Sequence, residues 1–193
     1  MLRMSERVES DEALMLRYAA GDVRAFEQLY LRHEMKVWRF IYRSVCNQAT
    51  ADELMQDVWF AVVQAASRYR PSARFTAWLF TLAHHRLIDR HRRSQPQHDH
   101  AVADEHGDRW IEQLAAPMSS DPLRQAESVQ HADALISAVQ QLPPEQREAF
   151  LMQAEGGLSV EEIAVATGVG FETVKSRLRY ARTRLQQILQ EYV

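Results

Sequence analysis

The stretch SVEEIAVATGVGFETVKSRLRYAR, Ser159 to Arg182, decides how this chain is read. It opens on a serine with Glu162 three positions later, a pairing in which hydroxyl and carboxylate satisfy each other's free backbone N–H groups at a helix start. The spacing predicts a helix over Val160 to Ala166, a stop in the tight turn Thr167-Gly168-Val169-Gly170, and a longer helix from Phe171 to about Gln190. Just upstream, Pro143-Pro144 starts another helix and Gly156-Gly157 ends it. A short helix, a glycine-bearing turn and a longer helix make a helix-turn-helix.

On a helix of about 3.6 residues per turn, Val174, Leu178, Ala181, Leu185 and Ile188 form one apolar stripe that must pack against the preceding helices. Opposite it lie Glu172, Thr173, Ser176, Arg179 and Tyr180. Lys175 and Arg182 border that face on one side, Arg177 and Arg184 on the other. Short polar groups between cationic borders suit a helix in a DNA major groove, the middle touching base edges and the borders meeting phosphates. Recognition helices read chiefly with their N-terminal residues, which favours Glu172, Thr173 and Ser176 as base readers. Glu172 can accept from a cytosine amino group, and Arg179 can donate to guanine. A cationic run taken alone is usually a solvated face. The capping box, glycine turn and preceding helix turn the reading toward DNA.

Charge is distributed unevenly along the chain. Residues 1–93 carry 15 Lys/Arg against 11 Asp/Glu, residues 94–130 carry 2 against 7, and residues 131–193 carry 6 against 8, for a net charge of -3. An acidic chain with one modest basic helix is expected to bind duplex weakly on its own, because nonspecific affinity grows with the phosphates neutralised. The acidic middle piece contains Pro96, Pro117 and Pro122 and few apolar residues, and it reads as a flexible linker with a short helix around Trp110 to Leu114. The chain is therefore expected to be all-α, with two small helical domains, 1–93 and 131–193, on either side of the linker 94–130. Cys46 stands alone, so no disulfide framework exists, and a buried thiol in a reducing compartment is expected. The charged N-terminus has no apolar h-region and no run reaches membrane-span length, so a soluble cytoplasmic protein is expected, not inserted in a membrane.

In the first segment, Phe26, Leu29, Tyr30, His33, Val37, Phe40 and Ile41 follow a three-four spacing after the break at Gly21-Asp22. A second run uses Ala51, Leu54, Val58, Ala61 and Ala65, and a third, after Pro71-Ser72, uses Phe75, Trp78, Leu79, Leu82 and Ala83 before turning basic. Trp78 and Leu82 sit on that stripe and are read as core. No stretch alternates as a strand does.

Four segments together resemble a known family: DVRAFEQLYLRH (Asp22–His33), ATADELMQDVWFAV (Ala49–Val62), FTAWLFTLAHHRLIDRHRR (Phe75–Arg93) and the run from Leu142 to Arg182. Their order and spacing are similar to the two conserved domains of extracytoplasmic-function sigma factors. That resemblance implies a bacterial initiation subunit, not an enzyme and without cofactor or metal. It joins the clamp helices and flap of core RNA polymerase, recognises promoter DNA, and is held inactive by an anti-sigma factor until a stress signal arrives.

The resemblance also distributes roles. Contact with the minus-thirty-five element falls to Glu172, Thr173, Lys175, Ser176, Arg177, Arg179, Tyr180 and Arg182. Contact with the minus-ten element falls to Arg74, Phe75, His85, Arg86, Arg90 and Arg93. Docking on the clamp falls to Asp52, Gln56, Asp57 and Phe60, from a face that also carries Glu53 and would otherwise be an ordinary solvated acidic surface. Opened DNA exposes unstacked bases that need aromatic or planar surfaces, with cations holding the backbone. Many relatives have asparagine where His85 stands, a residue implicated in holding a flipped base. Histidine also donates and accepts, and the substitution leaves the preferred minus-ten base open. The linker, roughly 30 residues at ~3.3 Å each, spans on the order of 100 Å, more than two duplex turns of about 34–36 Å.

Two rival readings have sequence support of their own. His84, His85, His91, His98, His100 and His106 fall close together, with Asp99, Asp104 and Glu105 nearby, but no HExxH or paired CxxC accompanies them. A two-domain helix-turn-helix regulator that binds duplex without polymerase is the other. No phosphate loop, GxSxG elbow or Rossmann fingerprint supports an enzyme.

Overall fold

The computed structural model describes residues 9–94 and 134–190. Every regular element among them is helical: α1 (Asp11–Ala19), α2 (Val23–Val45), α3 (Gln48–Ala65), a 3-10 turn (Ala66–Arg68) and α4 (Phe75–Ser94), then α5 (residues 134–140), α6 (Pro144–Gly156), α7 (Val160–Thr167) and α8 (Phe171–Gln190). Nearly all of the expected linker, including the short helix around Trp110, lies outside the described residues.

The helix starts are set by small polar side chains. Ser10, Asp22 and Asn47 accept from the N–H groups of Ala13, Arg24 and Thr50, satisfying donors that a first helical turn leaves free. α4 has a different solution: the Glu12 carboxylate reaches across from α1 and accepts the Phe75 N–H at 2.7 Å. α2 ends on Cys46 in the left-handed region at φ 53, an unusual place for a residue other than glycine. The Cys46 side chain is half-buried rather than buried, and burial pushes its thiol pKa up, away from nucleophilic character.

α1 to α4 pack around Leu14, Met15, Leu29, Val37, Phe40, Ile41, Leu54, Val58, Val62, Phe75, Leu79 and Phe80, all almost wholly excluded from solvent. Each such side chain contributes about 1.5–3 kcal/mol through removal of apolar surface from water. The three stripes expected from the sequence supply most of this core, with Phe26, Tyr30, Trp78 and Leu82 packed at its margin. α1 was not foreseen. It is tied down by Asp11, which accepts from Arg32 at 2.8 Å and pairs with His33 Nε2 at 2.7 Å.

α5 to α8 form the second module around Leu142, Leu151, Met152, Ile163, Val174, Leu178 and Ala181. The capping box at Ser159 and Glu162 is present in both directions. Gly157 (φ 60) and Gly168 (φ 68) close α6 and α7 in the left-handed conformation that a glycine adopts at little cost.

The two modules do not stand apart. α6 lies against α2 and α4, and α7 against α4, so the buried residues of both modules form one continuous cluster. At the seam, a Cβ on Gly156 would stand 3.1 Å from the Phe80 ring and 2.5 Å from Leu158 Cδ1, so a larger residue there would have to displace the Leu158 side chain and press on the Phe80 ring.

Candidate nucleic-acid interface

α8 presents the arrangement expected of it. Val174, Leu178, Ala181, Leu185 and Ile188 are buried, while Glu172, Thr173, Lys175, Arg179, Tyr180, Arg182 and Arg184 are exposed and Ser176 and Arg177 half-exposed. The helix begins after Gly170, whose carbonyl accepts from Thr173 and Val174. Glu172 lies 3.9 Å from Lys175, one turn on. The Arg179 guanidinium sits 4.9 Å over the Tyr180 ring and donates to its hydroxyl at 3.2 Å, a cation–π arrangement that stiffens a long side chain. Arg182 reaches back to Gln153 Oε1 at 2.5 Å. The result is an exposed ridge of hydroxyls, one carboxylate and several guanidiniums, able to donate and accept along a groove.

The residues expected near the minus-ten element are placed less uniformly. Phe75 is a correction: it is fully buried, with ring contacts to His33, Tyr69 and Trp78, because it opens α4 directly over the core. Burial also pushes the neighbouring Tyr69 hydroxyl up to about 12. Arg74 is exposed but occupied. Its Nε and Nη2 donate to Glu162 at 2.7 and 2.6 Å, and Nη2 also donates to the Gly157 carbonyl at 2.9 Å. The same pairing holds the Glu162 carboxyl below the usual carboxylate range. Arg90 donates to Glu53 at 3.0 Å and to Thr50 Oγ1 at 3.1 Å. His85 and Arg93 are exposed and Arg86 is half-buried, 3.7 Å from Asp89.

On α3, Asp52, Glu53, Gln56 and Phe60 are exposed and Asp57 half-buried. Phe60 is 62% exposed and Val63, nearly one turn on, 41%, an apolar pair within an acidic face. Sequence reasoning missed the support behind it: Trp38 Nε1 donates to Asp52 at 2.9 Å, and its ring stacks on Tyr42 at 4.8 Å with an interplanar angle of 7°. Of the clustered histidines, His84 is buried against Glu148, and His98, His100 and His106 lie outside the described residues. No group of three metal-ligating side chains occurs among the described residues.

Residues 29–97 match the Sigma-70 region 2 family and residues 132–185 match Sigma-70, region 4. The chain is 34% identical over 179 residues to the RNA polymerase sigma factor CarQ of Myxococcus xanthus, spanning 92% of this chain and 96% of that protein. It is 30% identical over 190 residues to the ECF RNA polymerase sigma factor RpoE of Cereibacter sphaeroides, spanning 95% and 98%. The chain belongs to the extracytoplasmic-function sigma factors.

The sigma factor therefore binds core RNA polymerase and promoter DNA and serves transcription initiation, and a regulator independent of polymerase is not favoured. Its fold is similar to that of CnrH, solved in complex with the cytosolic domain of CnrY, with a TM-score of 0.64 at 24% identity over 95% of this chain and 99% of that one. It is equally similar to RpoE of Bartonella quintana, solved with the anti-sigma factor NepR, with a TM-score of 0.64 at 24% identity over 86% and 96%. Among the described residues of the sigma factor, no helix is long and apolar enough to cross a membrane.

Proposed function

We propose that the sigma factor reads the minus-thirty-five element with α8 and the minus-ten element with α4, and that it docks on the polymerase clamp with α3. The observation that carries the reading is α8. Its apolar stripe is consumed by the core, which leaves Glu172, Thr173, Ser176 and Arg179 facing solvent between cations. On α4 and the residue just before it the contact set is Arg74, His85, Arg86, Arg90 and Arg93, without Phe75. On α3, Asp52, Gln56 and Asp57 share a face with Phe60, which offers a large exposed ring. The functional units are residues 1–93 and 131–193, joined by 94–130. The protein works in the cytoplasm by binding alone and carries out no chemistry of its own. An anti-sigma factor masks its polymerase-binding surface, a partner suggested by the complexes in which CnrH and the Bartonella RpoE were solved.

Transcription reconstituted from purified parts tests this. Core polymerase with the sigma factor is expected to give promoter-specific transcripts, and neither component alone. Phe60→Ala is expected to lower core affinity about tenfold, as truncation of an aromatic anchor does, without altering thermal stability. Full core binding by Phe60→Ala would remove α3 from the interface.

A further inference from the structure

Arg70 to Arg74 form an exposed loop with an arginine at each end, set between two buried aromatic residues, Tyr69 and Phe75, whose rings lie 6.3 Å apart. Its upstream end is tied down twice. The Tyr69 N–H donates to the Ala66 carbonyl at 3.1 Å, and Arg70 Nη1 donates to the Tyr69 carbonyl at 2.9 Å. Its downstream end is the start of α4, where the local sequence supplies no cap. Arg74 stands just before the helix and its carbonyl accepts from Trp78 at 3.1 Å. Its guanidinium has no acceptor to offer the free N–H groups of the first turn.

The missing acceptor comes from α1, where the Glu12 carboxylate takes the Phe75 N–H at 2.7 Å. Glu12 is itself held in place by its neighbours. Asp11 accepts from Arg32 at 2.8 Å and pairs with His33 at 2.7 Å, and Arg32 also donates to the Glu9 carbonyl at 2.8 Å. α2 therefore fixes the first turn of α1, and that turn fixes the first turn of α4. Losing a cap frays a helix at its end and leaves the far turns intact. An unpaired strand demands more of this region than folding does. Cations that track a single-stranded backbone must keep their spacing, and looseness of about 1 Å in the supporting groups is enough to weaken a site.

We propose that Glu12 is a positioning residue for capture of the unpaired minus-ten strand: from α1 it holds the start of α4 and so sets the frame in which Arg74 and the loop before it meet DNA. The inference rests on the assignment of Arg74 to the minus-ten element made above. Glu12 acts through the Phe75 N–H and needs no contact with DNA of its own.

The test uses the full chain assembled with core polymerase. The promoter is one that this holoenzyme selects from random-sequence DNA, presented in two forms. One is a forked probe with the minus-ten non-template strand unpaired, the other a duplex that ends upstream of the minus-ten element. Glu12→Ala is expected to weaken binding of the forked probe about tenfold, as loss of a cap permits, and to leave the duplex and core affinities unchanged. Glu12→Gln keeps an acceptor at the same reach and is expected to restore most of the forked binding. Combined with Arg74→Ala, Glu12→Ala is expected to add little further loss, whereas with Arg93→Ala, at the other end of α4, the two losses multiply. Equal losses on both probes, or no rescue by Glu12→Gln, would reduce Glu12 to a general support of the fold and overturn the proposal. Full forked binding by Glu12→Ala, while Arg74→Ala weakens it, overturns the positioning role alone. If Arg74→Ala is silent as well, the minus-ten assignment of Arg74 fails and the proposal falls with it.

Discussion

His33 shows how one side chain can serve the sequence pattern and still bring its own chemistry. It occupies an apolar-stripe position on α2, 4% exposed, with Nε2 on Asp11 and its ring 5.4 Å from that of Phe75. Burial holds its pKa below the ordinary 6.5, outweighing the opposing pull of Asp11, while Lys36 and Arg32 push in the same direction as burial. The unfolded chain therefore takes up a proton near pH 6.5 that the folded chain resists. Stability is fully present above that pH and falls as pH drops from there toward the lower folded value. Urea unfolding at pH 7.5 and pH 5.5 is expected to show the loss, and His33→Gln to flatten it. An equal pH slope in both proteins would place the titration elsewhere.

At the scale of the element, α8 was legible because two periodic signals agree: an unbroken three-four stripe and a capped, glycine-closed helix before it. All five stripe residues are buried. α1 was not legible, because nine residues following a charged tail give too short a pattern. Its signals were Ser10 as N-cap, Asp11 and Glu12 in the first turn, and Leu14 and Met15 as the buried pair. Phe75 was misread because an aromatic in the first turn of a helix is compatible with either core or surface. What settles it is Glu12 capping α4 from another helix, a long-range contact that local spacing does not encode. Within α8, cations and readers are expected to behave differently. Lys175→Ala should weaken holoenzyme binding about equally on all promoters and make the dependence of log affinity on log salt shallower by about one. Arg179→Ala should instead relax preference at a single base pair, by about 1–3 kcal/mol of discrimination, read by competition between promoter variants. Equal losses on every variant would make Arg179 a phosphate contact.

For the whole molecule, the sequence announces two helical modules through their punctuation and charge, but not that they pack together. Glu155 meets Arg39 and Arg43 across 116 and 112 residues of chain. Nothing in either helix marks those residues apart from ordinary surface charge, and the close approach at Gly156 involves the Phe80 ring of the other module as well as Leu158 nearby in sequence. Closed packing also gives a physical reason for the weak intrinsic DNA binding expected of an acidic chain. Polymerase must then supply both the affinity and the separation. Hydroxyl-radical footprinting of one promoter with core polymerase, with the sigma factor and with both tests this most directly. Two protected patches about two helical turns apart, appearing only when both proteins are present, are the expected result. Equal protection of both patches by the sigma factor alone would contradict it.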